Sequence, residues 1–320
     1  MAFTHIPVLL DECMDALNIQ PGGLYMDATA GLGGHSAQIL ANGGKVLCVD
    51  RDPQAIAKLH ERFANHPHAT IIHGNFFDCK RILHGLGISS LNGILADLGV
   101  SSLQLDDPSR GFSLHKDAPL DMRMGNIGQT AADAVNTLDE RLLVDILTRF
   151  ADEPYARRIA RAIVTARASA PVTTTLALAN IVRDAVPAAA RRDKHPARRT
   201  FQALRIYING ELDRLPAALD DMFDCLAPGG RFACISFHSL EDRIVKQAFA
   251  RQCQGCTCPP DFPKCVCGKT PRGRKLGKPR TPGQEELAVN PRSRSAKLRA
   301  IEKLDTPEAG KDESVVKIAF

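Results

Sequence analysis

The chain has 320 residues, 44% of them hydrophobic and 24% charged, with a net charge of +5. At roughly 150 residues per domain, that length suggests about two domains, and the composition excludes a disordered, collagen-like or small disulfide-built protein. Trp is absent and aromatics make up only 5%, which argues against a binding site walled by aromatic rings.

The N-terminal run MAFTHIPVLLDEC does not read as a secretory signal. Its apolar stretch 6–10 contains Pro7 and ends at Asp11-Glu12, too short and too acidic for an h-region. No stretch reaches the roughly 20 apolar residues that span a bilayer. The expected location is the cytoplasm, with no membrane partner, and the ten cysteines are expected to be reduced or metal-bound.

Short apolar runs at 24–28, 45–50, 69–73, 93–98 and 231–237 read as buried strands. Helical patterns lie between them at 36–41, at 53–64 with Ile56, Leu59 and Phe63 on one face, and at 212–226, stopped by Pro228-Gly229-Gly230. This alternation predicts an α/β fold with a parallel, doubly wound sheet of Rossmann type. It lapses after Asp97. Residues 107–198 show only helical periodicity, as at 139–150 and 155–169, and strand-like sequence returns at Arg231. The expected division is a core formed by 1–106 and 199–320, with a small helical substrate-recognition domain, 107–198, inserted into it. Residues 251–295 are rich in Cys, Pro, Gly, Lys and Arg and read as an irregular or mobile excursion. A last strand is expected at 314–319 or around 296–301.

The modest net charge hides an uneven layout. Residues 151–205 carry +7 and residues 269–303 carry +8, which leaves −10 on the rest of the chain. An acidic body with two basic segments suits a polyanion partner.

DATAGLGGHS (27–36) follows the first strand and opens a helix. Its glycines allow a tight turn that brings backbone N–H groups close to a ligand. Against G-x-G-x-x-G, the third glycine position holds Ser36. Asp50 ends the second strand, 23 residues after Asp27, where a carboxylate can accept both hydroxyls of a ribose; Asp52, before Pro53, suits a helix N-cap. An adenosine-containing cofactor follows, either NAD(P) or S-adenosylmethionine. The acidic residue leading the turn favours the cationic S-adenosylmethionine. Phe76 after the third strand is placed either to pack on adenine or in the core. Asp97, ending the fourth strand, faces the reacting group in this topology or serves as a turn carboxylate.

Taken in order, HIPVLLDE (5–12), DATAGLGGHS (27–36), VDRDPQAI (49–56), IIHGNF (71–76), ILADLGVSSLQLDDPSRGFS (94–113), PLDMRM (119–124), ARRIARAI (156–163), HPARRTFQALRIYIN (195–209), LAPGGR (226–231), ISFHSLEDRIVK (235–246) and NPRSRSAKLR (290–299) resemble the RsmH (MraW) family of bacterial rRNA methyltransferases. The resemblance covers nearly the whole chain. It implies a Rossmann-like S-adenosylmethionine-dependent methyltransferase fold with an inserted helical domain. The activity implied is methylation of N4 of a cytosine in the decoding region of 16S rRNA, with the small ribosomal subunit, not DNA, as partner. It also implies cofactor contacts from Gly33, Gly34, His35, Asp50, Phe76, Asp97 and Gln104, and it requires no metal.

The N4 lone pair is delocalised into the cytosine ring, so transfer needs alignment and an acceptor for an N4 proton. DNA amino methyltransferases carry S/D/N-P-P-aromatic at the end of the fourth strand; here Asp97-Leu98-Gly99-Val100 stands there. The acceptor is left open among Asp97, His238, Ser101 and Ser102, with Asp97 and His238 as catalytic candidates. An unstacked base would rest on hydrogen bonds and aliphatic walls, with Phe at most for stacking. Arg157, Arg158 and Arg161 on one helix, and Arg198, Arg199 and Arg205 on the next, are candidate RNA contacts. Cys253, Cys256, Cys265 and Cys267 offer a zinc site on the strength of one C-x-x-C pair, with reduced thiols in a loop as the other reading. Two other functions compete: an RNA-binding module with a relic pocket, and an NAD(P) dehydrogenase.

Overall fold

The structure is a computed structural model that describes residues 6–191, 195–259 and 266–305. Seven strands form one sheet: Leu24–Asp27 (β1), Lys45–Asp50 (β2), Ala69–His73 (β3), Leu91–Asp97 (β4), Leu226–Ser236 (β5), Gly273–Lys275 (β6) and Lys297–Lys303 (β7). Their order is β3-β2-β1-β4-β5-β7-β6.

The first five strands are parallel, and β7 runs antiparallel to both β5 and β6. The sheet is therefore mixed, a correction to the all-parallel expectation. Its antiparallel edge is locked by charge: Glu302 on β7 pairs with Arg231 on β5 at 3.2 Å and with Arg274 on β6 at 2.9 Å. The period-two alternation of a strand sends Val46 and Cys48 to one face and Leu47 and Val49 to the other. Helices Leu10–Leu17 (α1), Gly34–Ala41 (α2) and Pro53–Phe63 (α3) pack on the first face. Cys79–Gly85 (α4) packs on the second.

Between β4 and β5 the chain forms Ser102–Asp106 (α5), Ala131–Thr137 (α6), Glu140–Ala151 (α7), Ala156–Ser169 (α8), Thr175–Ala185 (α9), Arg198–Asn209 (α10) and Leu215–Asp224 (α11). In α7 the Asp139 carboxylate caps the helix by accepting from Leu142 N at 2.7 Å. Leu143, Ile146, Leu147 and Phe150 then fall on one buried stripe. That stripe meets α8 and α10. The helical cluster runs past residue 198, because α10 packs on α6 and α7. Its apolar interior is continuous with the second face of the sheet, to which α11 and Ser239–Gln252 (α12) also contribute.

Strand β5 begins at Leu226, five residues before the expected start at Arg231. Gly229, at φ +76°, and a slip in pairing between Leu91 and Gly93 take Pro228-Gly229-Gly230 into the strand as a bulge. Within the supposedly irregular 251–295 lie β6 and a short helix, Gln284–Val289 (α13). The last strand occupies 297–303; the alternative at 314–319 lies outside the described residues. No helix among the described residues is long and apolar enough to cross a membrane.

Candidate active site

The chain builds β1, β2 and β3 outward in one direction, then returns to place β4 on the other side of β1. The reversal leaves a crevice at the C-terminal ends of β1 and β4. Asp27, Asp50 and Asp97 end β1, β2 and β4 and stand along that edge. A cleft of about 460 Å3 opens there.

One wall of the cleft is the turn from β1 to α2. Gly31 N donates to Asp50 Oδ2 at 2.8 Å, and Asp52 N donates to Asp50 Oδ1 at 2.8 Å. Asp50 thus clamps the turn while facing the cleft. Burial pushes its carboxyl up to about 6, against the opposing pull of these two N–H groups. Gly33, at φ +75°, enters α2; a Cβ there would sit 2.7 Å from the Phe63 ring and 2.9 Å from Leu59, so only glycine fits. Asp27 does not line the cleft. It is buried, accepts the Ser36 hydroxyl at 2.6 Å, and is likewise pushed to about 6 by burial. Ser36, where a dinucleotide motif has glycine, is therefore the partner of the carboxylate leading the turn.

His35 lines the same wall, with Nε2 3.0 Å from Val8 O. Burial lowers its pKa to about 4, so the ring is neutral at pH 7 and Nε2 donates to that carbonyl. This bond draws the segment 6–9 over the cleft, where Pro7 and Val8 line it. Residues far along the chain hold the same segment. Leu9 N donates to Glu286 Oε1 at 3.0 Å and Asn290 Nδ2 to Ile6 O at 3.2 Å.

Gln104 is buried in the cleft wall. Its Oε1 accepts from Ser101 N at 3.1 Å, and its Nε2 donates to Asp52 Oδ2 at 2.9 Å and to Met124 O at 3.1 Å. Asp52, the expected cap of α3, also pairs with Arg110 at 2.8 Å. Asn209, at the end of α10, joins this framework by accepting from Met124 N at 2.8 Å and donating to Met122 O at 2.8 Å. The network fixes segment 110–124 against the turn. Arg110 and Asn209 went unrecognised in the sequence. Both act through partners dozens of residues away, which no local spacing signals.

The opposite wall comes from β4 and β5. Asp97 N donates to Thr29 Oγ1 at 2.7 Å, but Asp97 Oδ1 is sheltered without a partner. Burial, reinforced by Asp27 and Glu241, pushes this carboxyl well above its usual range. His238 caps α12, its Nδ1 accepting from Glu241 N at 3.4 Å. Its Nε2 lies 3.0 Å from Glu241 Oε1, in ion-pair position but without the alignment of a hydrogen bond. Burial alone would raise Glu241; His238, Arg205 and the Phe237 N–H bring it below its usual range.

Phe76 also lines the cleft, beside Phe77, Phe112, Phe201 and Phe237. Five of the thirteen phenylalanines therefore gather at one place. Overall aromatic scarcity says nothing of local concentration, and the expectation of a site without aromatic walls is corrected. Arg205 is likewise displaced from the exposed basic face. It faces the cleft and forms a bidentate pair with Glu211, at 2.9 and 2.8 Å. Arg198 stands exposed on the cleft wall. Arg157, Arg158 and Arg161 are exposed on α8, with Arg161 3.7 Å from Glu140, and Arg199 donates to Asp152 O at 2.8 Å.

The cysteine expectation changes too. The thiols that converge are Cys256, Cys258 and Cys267, all within 4.8 Å of one another; Cys253 is not among them, and Cys265 lies outside the described residues. Cys258 was passed over because the C-x-x-C spacing pointed to Cys253, at the end of α12.

The sequence pattern of the MraW methylase family matches residues 2–304. A ribosomal RNA small subunit methyltransferase H of Paenibacillus sp. (strain JDR-2) is 50% identical over 94% of this chain and 100% of its own length. Proteins of the same name from Carboxydothermus hydrogenoformans and Symbiobacterium thermophilum are 49% and 48% identical over 95% and 97% of this chain and 99% and 100% of their own lengths. A solved rRNA methylase from Streptococcus thermophilus aligns over 95% of this chain and 99% of its own at 12% identity and a TM-score of 0.42, too distant to bear on the site. On its match over nearly the whole chain, and on relatives at about half identity end to end, this chain belongs to the MraW methylase family.

Proposed function

We propose that this protein transfers a methyl group from S-adenosylmethionine to the exocyclic N4 of a cytosine in the decoding region of 16S rRNA. The substrate is the small ribosomal subunit and the place of action the cytoplasm. The relatives' shared name supports the rRNA substrate. The observation that carries the chemistry is that Asp97 Oδ1 and His238 Nε2, sheltered and without an aligned partner, share one cleft with the glycine turn and Asp50.

The residues present fit the cofactor. Each oxygen of Asp50 takes one backbone N–H and keeps a lone pair for a ribose hydroxyl. Gly33 and Gly34 let the backbone approach closely, and Phe76 offers an aromatic face to adenine. Asp97 would face the bound cofactor from the end of β4, while His35 and Gln104 would hold the two flanks in place. When bound, S-adenosylmethionine supplies an electrophilic methyl group.

The protein must then aim the N4 lone pair and take an N4 proton. Asp97 Oδ1 suits the second task. A carboxylate held above its usual range is a stronger base than an exposed one, and it needs no partner exchange to accept the proton. His238 accepts from Glu241 N through Nδ1 and so carries its proton on Nε2, which suits it to orient the base as a donor and leaves Asp97 as the acceptor within the cleft. Residues 107–198, together with α10, serve as the RNA-recognition domain. Arg157, Arg158 and Arg161 face phosphate from α8, Arg198 and Arg199 from α10, while Arg205 with Glu211 shapes the cleft interior.

The test is transfer of labelled methyl groups to small subunits lacking the modification, followed by mapping. Label on N4 of one decoding-region cytosine is the expected result. Label on another atom or another RNA region would overturn the assignment.

A further inference from the structure

The cysteine cluster takes no part in the proposed chemistry, and it carries its own geometry. It sits in the excursion that leaves α12 after Gln252 and returns to β6, closed at its base by Arg272 N donating to Gln252 O at 2.9 Å. Cys256 and Cys267 Sγ lie 3.7 Å apart. A disulfide requires about 2.05 Å. Two thiolates bound tetrahedrally to one zinc at about 2.3 Å sit about 3.8 Å apart along an edge.

Each sulfur also receives one backbone N–H. Cys258 N points to Cys256 Sγ at 3.4 Å, Val266 N to Cys258 Sγ at 3.4 Å, and Thr257 N to Cys267 Sγ at 3.5 Å. Such bonds stabilise negative charge on sulfur. Gly268, at φ +60°, turns the chain immediately after Cys267. A thiol pair available for oxidation would account for two of these sulfurs, not for the convergence of three.

We propose that Cys256, Cys258 and Cys267 hold one zinc ion as thiolate ligands, stapling the excursion beyond α12. Three converging soft ligands, one pair of them at a tetrahedral edge length, select zinc over hard cations such as magnesium or calcium. A fourth donor completes the tetrahedron.

The test uses the full chain, purified without a metal-chelating tag. The expected metal content is about one zinc per chain. Exchange with cobalt(II) should give a sulfur-to-cobalt charge-transfer band in the near ultraviolet. Competition with a chromogenic chelator should show Cys258→Ser weakening zinc at least about tenfold, in the range seen when a metal site loses a supporting group, while Cys253→Ser leaves it unchanged. Because the cobalt spectrum is read on the unaltered protein, the proposal stays testable even if Cys258→Ser folds poorly. Cobalt bound without the thiolate band, or equal loss from Cys253→Ser and Cys258→Ser, would overturn the assignment.

Discussion

The two walls of the cleft treat their polar groups in opposite ways. On the β1–β2 side, Asp50 and His35 are held by protein partners, and Gln104 reaches from α5 to Asp52 there. On the β4–β5 side, Asp97 Oδ1 and His238 Nε2 are sheltered without an aligned one. The first arrangement is rigid before any ligand arrives, and its cost in order is met on folding. The second keeps an unsatisfied carboxylate in a buried place, which costs stability and is tolerated where chemistry uses it. On the proposed function, one wall binds and the other reacts.

The sharpest way to break this contrast is Asp97→Asn. If Asp97 is the acceptor, single-turnover methyl transfer to small subunits should fall by about 10²- to 10⁴-fold, the usual worth of a positioned base, with cofactor affinity changed far less. Equal loss of both would move Asp97 to the binding wall.

Gly33→Ala attacks the other side. A methyl group at φ +75°, within 2.7 Å of Phe63 and 2.9 Å of Leu59, must shift the turn. Cofactor affinity by calorimetry should drop by about tenfold or more, the equivalent of 1.4 kcal/mol.

Reversing charge with Arg198→Glu and Arg199→Glu should weaken subunit binding by about tenfold at low salt and flatten its salt dependence. Cofactor affinity should stay as it was; a matching fall in it would mean that the cleft is not two separable walls.

The smallest effect concerns pH. Asp50 titrates near 6, raised by burial. Above that pH it is ionised and accepts hydroxyl groups well. As pH falls through about 6 it takes up a proton, and cofactor affinity should decline several-fold. Asp50→Asn should bind more weakly at pH 8 and lose most of that slope when affinity is followed by fluorescence or calorimetry. An unchanged slope would place the titration elsewhere.

Much of the binding wall was legible in the sequence, because it is local. The glycine turn, Asp50 and the cap at Asp52 fall within 26 residues of one another, and strand-to-helix alternation locates them. The reacting wall was half legible. Asp97 and His238 end apolar runs, but Glu241 is read as one more helix-surface charge until the fold buries it against His238. Arg205 shows the same limit in reverse: among so many basic residues it looks like a phosphate ligand, yet it pairs with Glu211. Strand β6 escaped because three residues, Gly-Arg-Lys, carry no apolar pattern; their pairing with β7 creates the strand.

The grip of Glu286 and Asn290 on residues 6–9 has a consequence for the order of events in synthesis. The flap over the cofactor side is fastened by residues 277 and 284 positions further along the chain. A nascent chain stopped short of residue 286 holds every strand of the β3-β2-β1-β4-β5 set and the whole glycine turn, but has only the His35 bond to Val8 to hold the flap. The two outer fastenings of the flap therefore form only after the binding turn itself has been made.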